Sequence, residues 1–229
     1  MNTHRKTAIL AGALFLISYF GVFAGSAISG PILDAPDYLT NIYPNRTQVI
    51  IGEFIWLLND AAIVGIAVVL FPLLKKHSET LALGYVGIRV IEAATLVVGK
   101  ISALSLITLS QDYIAAGAPD ASYFQALGAS ALAERNWAGQ INVPFFVLSA
   151  LTLYYLLYQS KLLPRFIPIW GFIAVAALIA ANLLPLPDLT EGFHPAQLLF
   201  LPIVLNELFL GIWLIVKGFT PSAIASGSA

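Results

Sequence analysis

Six ionisable side chains lie inside stretches otherwise apolar enough to cross a bilayer: Glu53, Asp60, Arg89, Glu92, Lys100 and Glu207. A charge at mid-bilayer costs at least about 2.5–3.5 kcal/mol, so such residues face the protein interior, where they pair or handle protons, ions or polar ligands. Glu53 and Asp60 are two helical turns apart and share one face, with Trp56 and Asn59 beside that stripe. Arg89 and Glu92 are close enough along a helix to touch, and Lys100 returns to nearly the same face three turns after Arg89. If the two helices pack antiparallel, matching depths predict two pairs, Asp60 with Arg89 and Glu53 with Lys100. Asn206 and Glu207 reach a similar depth just after Pro202, whose missing N–H frees a carbonyl near Leu198 and suits a kink or a polar pocket. The candidate intramembrane polar site is therefore Glu53, Asp60, Arg89, Glu92, Lys100, Asn206 and Glu207.

Among the ionisable members of this set, four acids against two bases leave an excess of negative charge that a low-dielectric interior does not tolerate. Either acids hold protons, with Glu92 and Glu207 as the candidates, or a cation sits among them. Glu92 can instead share Arg89 in a structural bridge, and Glu53 can be solvated if water enters from outside. Other chemistries find less support. The chain has no cysteine, which excludes disulfides, thiol nucleophiles, thiolate metal sites and covalent haem attachment. Its histidines are His4, His77 and His194; on a six-span topology the first two face the cytoplasm and the third faces outward, so no pair is expected to chelate a metal within the membrane. His194 near Glu191 and Asp188 can serve acid–base work at an outer face, although a loop residue ahead of a helix is the plainer reading. Nucleophile-elbow, zinc-protease and phosphate-loop motifs do not occur. No catalytic residue, metal ligand or cofactor is assigned.

The elements that must position these charges are membrane helices. Hydrophobic residues make up 59% of the 229, charged residues 10%, and the mean hydropathy is +0.87. This composition is that of an all-α, polytopic membrane bundle. The apolar runs predict six spans, at about 7–29, 48–74, 80–109, 138–159, 166–186 and 195–217. They form one integral-membrane domain over residues 1–219. A short amphipathic surface helix is expected over 120–135, capped by Asp120, and a disordered tail over 220–229. Arg5, Lys6, Lys75, Lys76, Lys161, Arg165 and Lys217 fall on one side of a six-span chain, which places both termini in the cytoplasm. Tyr154, Tyr155, Tyr158, Trp170 and Trp213 are expected to ring the inner interface. A charged start before an apolar run ending Ala24-Gly25-Ser26-Ala27 is similar to a secretory signal, but the run exceeds the usual core of about 7–15 residues and predicts an uncleaved anchor. Gly21 and Gly25, continued by Ser29, form a ridge for close helix approach within the chain, and the same ridge can seat a second copy. The net charge of −1 and the lack of any basic run exclude a nucleic-acid face. Membrane lipids are the expected surroundings.

Several strings occur in a characteristic order: Ala11-Gly12 near the start, Arg89-Val90-Ile91-Glu92, Leu163-Pro164-Arg165 leading to Trp170-Gly171, then Asn206-Glu207, and Trp213 through Phe219. From about Lys6 to Phe219 the chain resembles the bacterial multi-pass family catalogued as domain of unknown function 4386. That resemblance implies a helical protein of the bacterial or archaeal inner membrane and supplies no catalytic residues. Three functional classes follow from the residues. The first is a structural, lipid-binding or partner-binding helix bundle. The second is a small proton- or ion-coupled transporter or channel component. The third is a membrane enzyme acting on a lipid, for which no nucleophile or metal site is recognisable.

Overall fold

The computed structural model describes residues 3–117, 121–183 and 195–222, and helices dominate them. In hydrocarbon a backbone must satisfy its own hydrogen bonds, which leaves an apolar run little choice but a helix. The helices are α1 (Thr3–Leu33), α2 (Tyr38–Asn41), α3 (Arg46–Leu74), α4 (Glu79–Ala115), α5 (Ala121–Ser160), α6 (Phe166–Leu183) and α7 (Leu201–Val216), with a 3-10 turn over Pro195–Phe200 ahead of α7. Among the described residues, six helices are long and apolar enough to cross a membrane: α1, α3, α4, α5, α6 and the stretch Leu198–Val216. The protein is a multi-pass membrane protein.

Local sequence sets where these helices start and stop. Ser78 accepts the Leu81 N–H at 3.3 Å and so caps the start of α4. Gly117 closes α4 with a positive φ of 65°, and Gly218 closes α7 at 74°, both conformations that favour glycine. At the C-terminus of α7 the Arg5 guanidinium donates to the carbonyls of Leu214, Ile215 and Val216 at 3.4, 2.6 and 3.3 Å. Carbonyls that no further helical turn would reach thereby gain a cationic donor.

Two expectations about elements change, and one short element is added. Residues 121–135 are helical, but they are the first part of the 40-residue α5 and do not form a separate surface helix. With nothing at Asn136 or Trp137 to break the helix, it simply continues. About 20 residues suffice to cross a bilayer, so α5 has turns to spare. Pro202 does not kink a helix. It occupies the first turn of α7, where its absent N–H removes no bond. The segment 34–45 carries the one-turn α2, which short-range polarity did not reveal. Asp120, the cap expected for the 120–135 helix, lies outside the described residues, as do Asp188, Glu191, His194 and the tail beyond Ser222.

The packing of the chain falls into two compact units. The first takes α1 up to Leu16, residues Ile63–Val90 and the described residues from Phe145 on. Its core includes Phe15, Leu70, Tyr85, Leu153, Tyr154, Ile167, Leu210 and Leu214. The second takes the described residues of Ile17–Ala62 and Ile91–Pro144, with a smaller apolar core of Ile32, Leu33, Ile42, Val49, Ala103 and Leu106. In the first unit α1 meets α7 through two glycines: a Cβ on Gly12 would come within 2.8 Å of Ile215, and one on Gly211 within 3.0 Å of Phe15. In the second, Gly21 and Gly25 face Asn59, Ile55 and Trp56 of α3, and Gly52 faces Ser29. Helix α3 thus fills the small-residue ridge of α1 from within the chain.

Candidate functional site

All six intramembrane charges are buried, Arg89 and Glu92 each at 2% exposure. Each compact unit holds its own ion pair.

In the second unit the Lys100 ammonium sits 3.0 Å from Asp60 Oδ2 and donates to Asp60 Oδ1 at 3.3 Å. It also donates to the Leu96 carbonyl, one turn back on α4, at 3.3 Å, and lies 4.8 Å from the centre of the Trp56 ring. Asn59 Nδ2 donates to Asp60 Oδ1 at 3.1 Å, and Ser18 donates to Asn59 Oδ1 at 2.6 Å. Asp60 therefore receives a cation and an amide, and the amide is oriented in turn by a hydroxyl from α1. Glu53, the other acid of this stripe, accepts from the Ser29 hydroxyl at 2.8 Å. The Glu92 carbonyl receives Thr95 Oγ1 at 2.8 Å and Asn142 Nδ2 at 3.0 Å, which ties α5 to α4. Nearer the end of α4, Ser102 donates to Glu134 Oε2 at 3.1 Å, and Arg135 binds Asp34 at 2.9 Å on the exposed surface.

In the first unit Arg89 donates from Nε to the Tyr85 hydroxyl at 3.3 Å. Its guanidinium lies 5.5 Å from the Tyr85 ring centre and 5.6 Å from that of Phe146. An ion partner of Arg89 in this unit is Glu207, at 4.0 Å. The Asn206 amide beside Glu207 is fully buried and donates to the Ile167 carbonyl of α6 at 3.1 Å. Tyr154 of α5, also fully buried, packs its ring where a side chain on Gly171 would stand. Glu207, Arg89 and Tyr85 all lie within electrostatic range of its hydroxyl.

The expected pairs are both replaced. Asp60 takes Lys100 instead of Arg89, Arg89 takes Glu207, and Glu53 takes Ser29 instead of Lys100. Helical side chains lean toward the N-terminus of their own helix. On antiparallel α3 and α4 these leanings are opposed. Lys100 reaches back one turn along α4, to the Leu96 carbonyl, and the lean of Asp60 toward the start of α3 brings the two ends together although Lys100 lies further from the α3–α4 turn than Asp60 does. Glu53, as many residues from the α3–α4 turn as Lys100, should by the same rule lean away from it, and it accepts from Ser29. Arg89 likewise reaches back one turn, to Tyr85. Matching Cα depth without this offset therefore predicted the wrong partners.

Residue-type reasoning brought the right charges inside and missed the neutral groups that serve them: Ser18, Ser29, Tyr85, Thr95, Asn142 and Tyr154. Tyr85 stands four residues before Arg89, a legible helix-face signal. Tyr154, which the sequence places in the interfacial aromatic ring, is instead completely buried. Trp170 and Trp213 pack with Phe209 as an aromatic group within the first unit. Among the described residues no three His, Asp or Glu side chains are grouped so as to hold a metal ion. A family model described as a domain of unknown function, DUF4386, matches residues 10–218. Searches of curated proteins and of solved structures find no match.

Proposed function

Because the chain belongs to the DUF4386 family, whose description assigns no activity, we propose its role from its buried charges. The protein acts as a non-enzymatic helix bundle of the cell membrane, both termini cytoplasmic. Its intramembrane ion pairs fix how the spans pack, and its outer surface meets lipid or a protein partner.

The observation that carries this reading is the closure of the Lys100–Asp60 pair. Two carboxylate oxygens, the Leu96 carbonyl and the Trp56 ring surround the ammonium within 4.8 Å. A carboxylate that moved protons or ions in turnover would have to release its cation in each cycle, and every neighbour here opposes release. Buried polar groups of this kind are best attested as devices that select one register of packing. Large apolar side chains on the outside, among them Phe20, Phe23, Leu83, Ile101 and Ile173, give lipid tails or a partner helix the surface they need.

Charge reversal tests the reading. Asp60→Lys and Lys100→Asp should each lower the yield of folded protein, and the double reversal should recover most of it. A double variant no better than either single change would remove the proposed packing role.

The transport reading is favoured by one specific observation, the 4.0 Å separation of Arg89 and Glu207, at the outer limit of an ion pair. Reconstituted liposomes distinguish it. Proton or ion flux that disappears in Glu207→Gln supports transport, and flux equal to that of empty liposomes supports the packing role.

A further inference from the structure

The first unit contains two fully buried polar atoms, the Tyr154 hydroxyl and Asn206 Oδ1, that have no hydrogen-bond partner among the described residues. Buried polar groups are normally paired, with protein or with an ordered guest. Both residues pack against α6. Asn206 binds the carbonyl of Ile167, while Tyr154 rests on Gly171, one turn further along the same face of α6. Glu207, adjacent to Asn206, lies within electrostatic range of the Tyr154 hydroxyl. The Asn206 amide nitrogen is already committed to Ile167, which leaves its oxygen as an acceptor pointing elsewhere. Tyr154 can both donate and accept.

We infer that Tyr154 and Asn206 form a binding site for a single guest hydroxyl between α5, α6 and α7, one O–H group that accepts from Tyr154 and donates to Asn206 Oδ1. This goes beyond the packing role proposed above and does not depend on it. The chemistry admits water or the hydroxyl of a lipid headgroup. A water molecule held by two to four polar partners is a normal component of a buried polar site. An anionic guest is disfavoured by the acceptor oxygen of Asn206 and the carboxylate of Glu207. A bare cation is disfavoured by the nearby guanidinium of Arg89. A neutral hydroxyl satisfies both orphan atoms without adding charge to a low-dielectric interior.

The sign of one substitution tests the site. If the Tyr154 hydroxyl is an orphan, Tyr154→Phe removes a buried polar atom that nothing satisfies, and the melting temperature stays level or rises. If it holds a guest, the same change breaks that bond and the melting temperature falls. A fall is expected, and a level or raised value overturns the proposal. Electron cryomicroscopy of the unaltered protein in lipid nanodiscs gives a readout independent of variant folding. Density within hydrogen-bond distance of both Tyr154 and Asn206 is expected, and a map that resolves other buried waters but nothing here overturns the proposal. Delipidation separates the two sources. A Tyr154→Phe loss that survives lipid removal identifies water, and one that vanishes identifies a lipid hydroxyl.

Discussion

Two basic residues on one helix, Arg89 and Lys100, meet their acids in different ways in the two units of the molecule. Lys100 and Asp60 are 3.0 Å apart, and the Leu96 carbonyl, Asn59 and Trp56 complete their shells. Arg89 and Glu207 are 4.0 Å apart, and the guanidinium distributes itself over the Tyr85 hydroxyl and two aromatic faces. An ammonium is a compact charge that needs close oxygens, whereas a planar guanidinium spreads its charge and can rest on rings. The first arrangement acts as a clamp on two helices. The second leaves its carboxylate beside Asn206 and within electrostatic range of Tyr154.

The contrast can be broken first at its strongest point. Lys100→Met strands Asp60 in the interior and should destabilise the fold by about 3–5 kcal/mol, whereas Asp60→Asn combined with Lys100→Met should recover most of that loss. In double-mutant cycles read by reversible unfolding in mild detergent, the Asp60–Lys100 coupling should exceed that of Arg89–Glu207. Equal couplings would erase the proposed distinction between a clamp and a spread charge.

A smaller effect comes from the glycine contact beneath the clamp. A Cβ at Gly25 would stand 2.8 Å from the Gly52 carbonyl, so Gly25→Val should cost about 1–3 kcal/mol through overpacking. Gly84→Ala is the control: with nothing within 4 Å of the added carbon, it should cost nothing measurable in the same assay. The smallest effect is expected at the exposed Arg135–Asp34 pair, where Asp34→Asn should change stability by at most about 1 kcal/mol. A larger loss there would mean that surface charge, and not burial, sets the strength of these pairs.

The sequence displayed the membrane spans because runs such as Ile63–Phe71 leave no alternative to a lipid-facing or buried helix. It displayed the buried charges for the complementary reason, since Arg89 and Glu92 among valine and isoleucine can only turn inward. The partners were not legible, because they depend on side-chain lean and on the third dimension. Nothing near Glu53 in sequence announces Ser29, and nothing near Arg89 announces Glu207. The separate helix expected over 120–135 failed for a local reason: a polar stretch reads as a boundary, yet helix propensity through Glu134 and Arg135 carries α5 onward. Tyr154 was misplaced because an amphipathic ring near a span end suits an interface as well as a polar interior.

The grip of Arg5 on the last carbonyls of α7 links chain positions more than 200 residues apart. During synthesis the first span therefore enters the bilayer long before its closing partner exists. For that interval Arg5 lacks the α7 carbonyls it binds in the folded chain, and Gly12 has no Gly211 beside it. Assembly of the first unit is consequently a post-insertion event that waits for the ribosome to deliver the final span. A chain cut short before Leu214 lacks the carbonyls that Arg5 binds and leaves that seam unfinished.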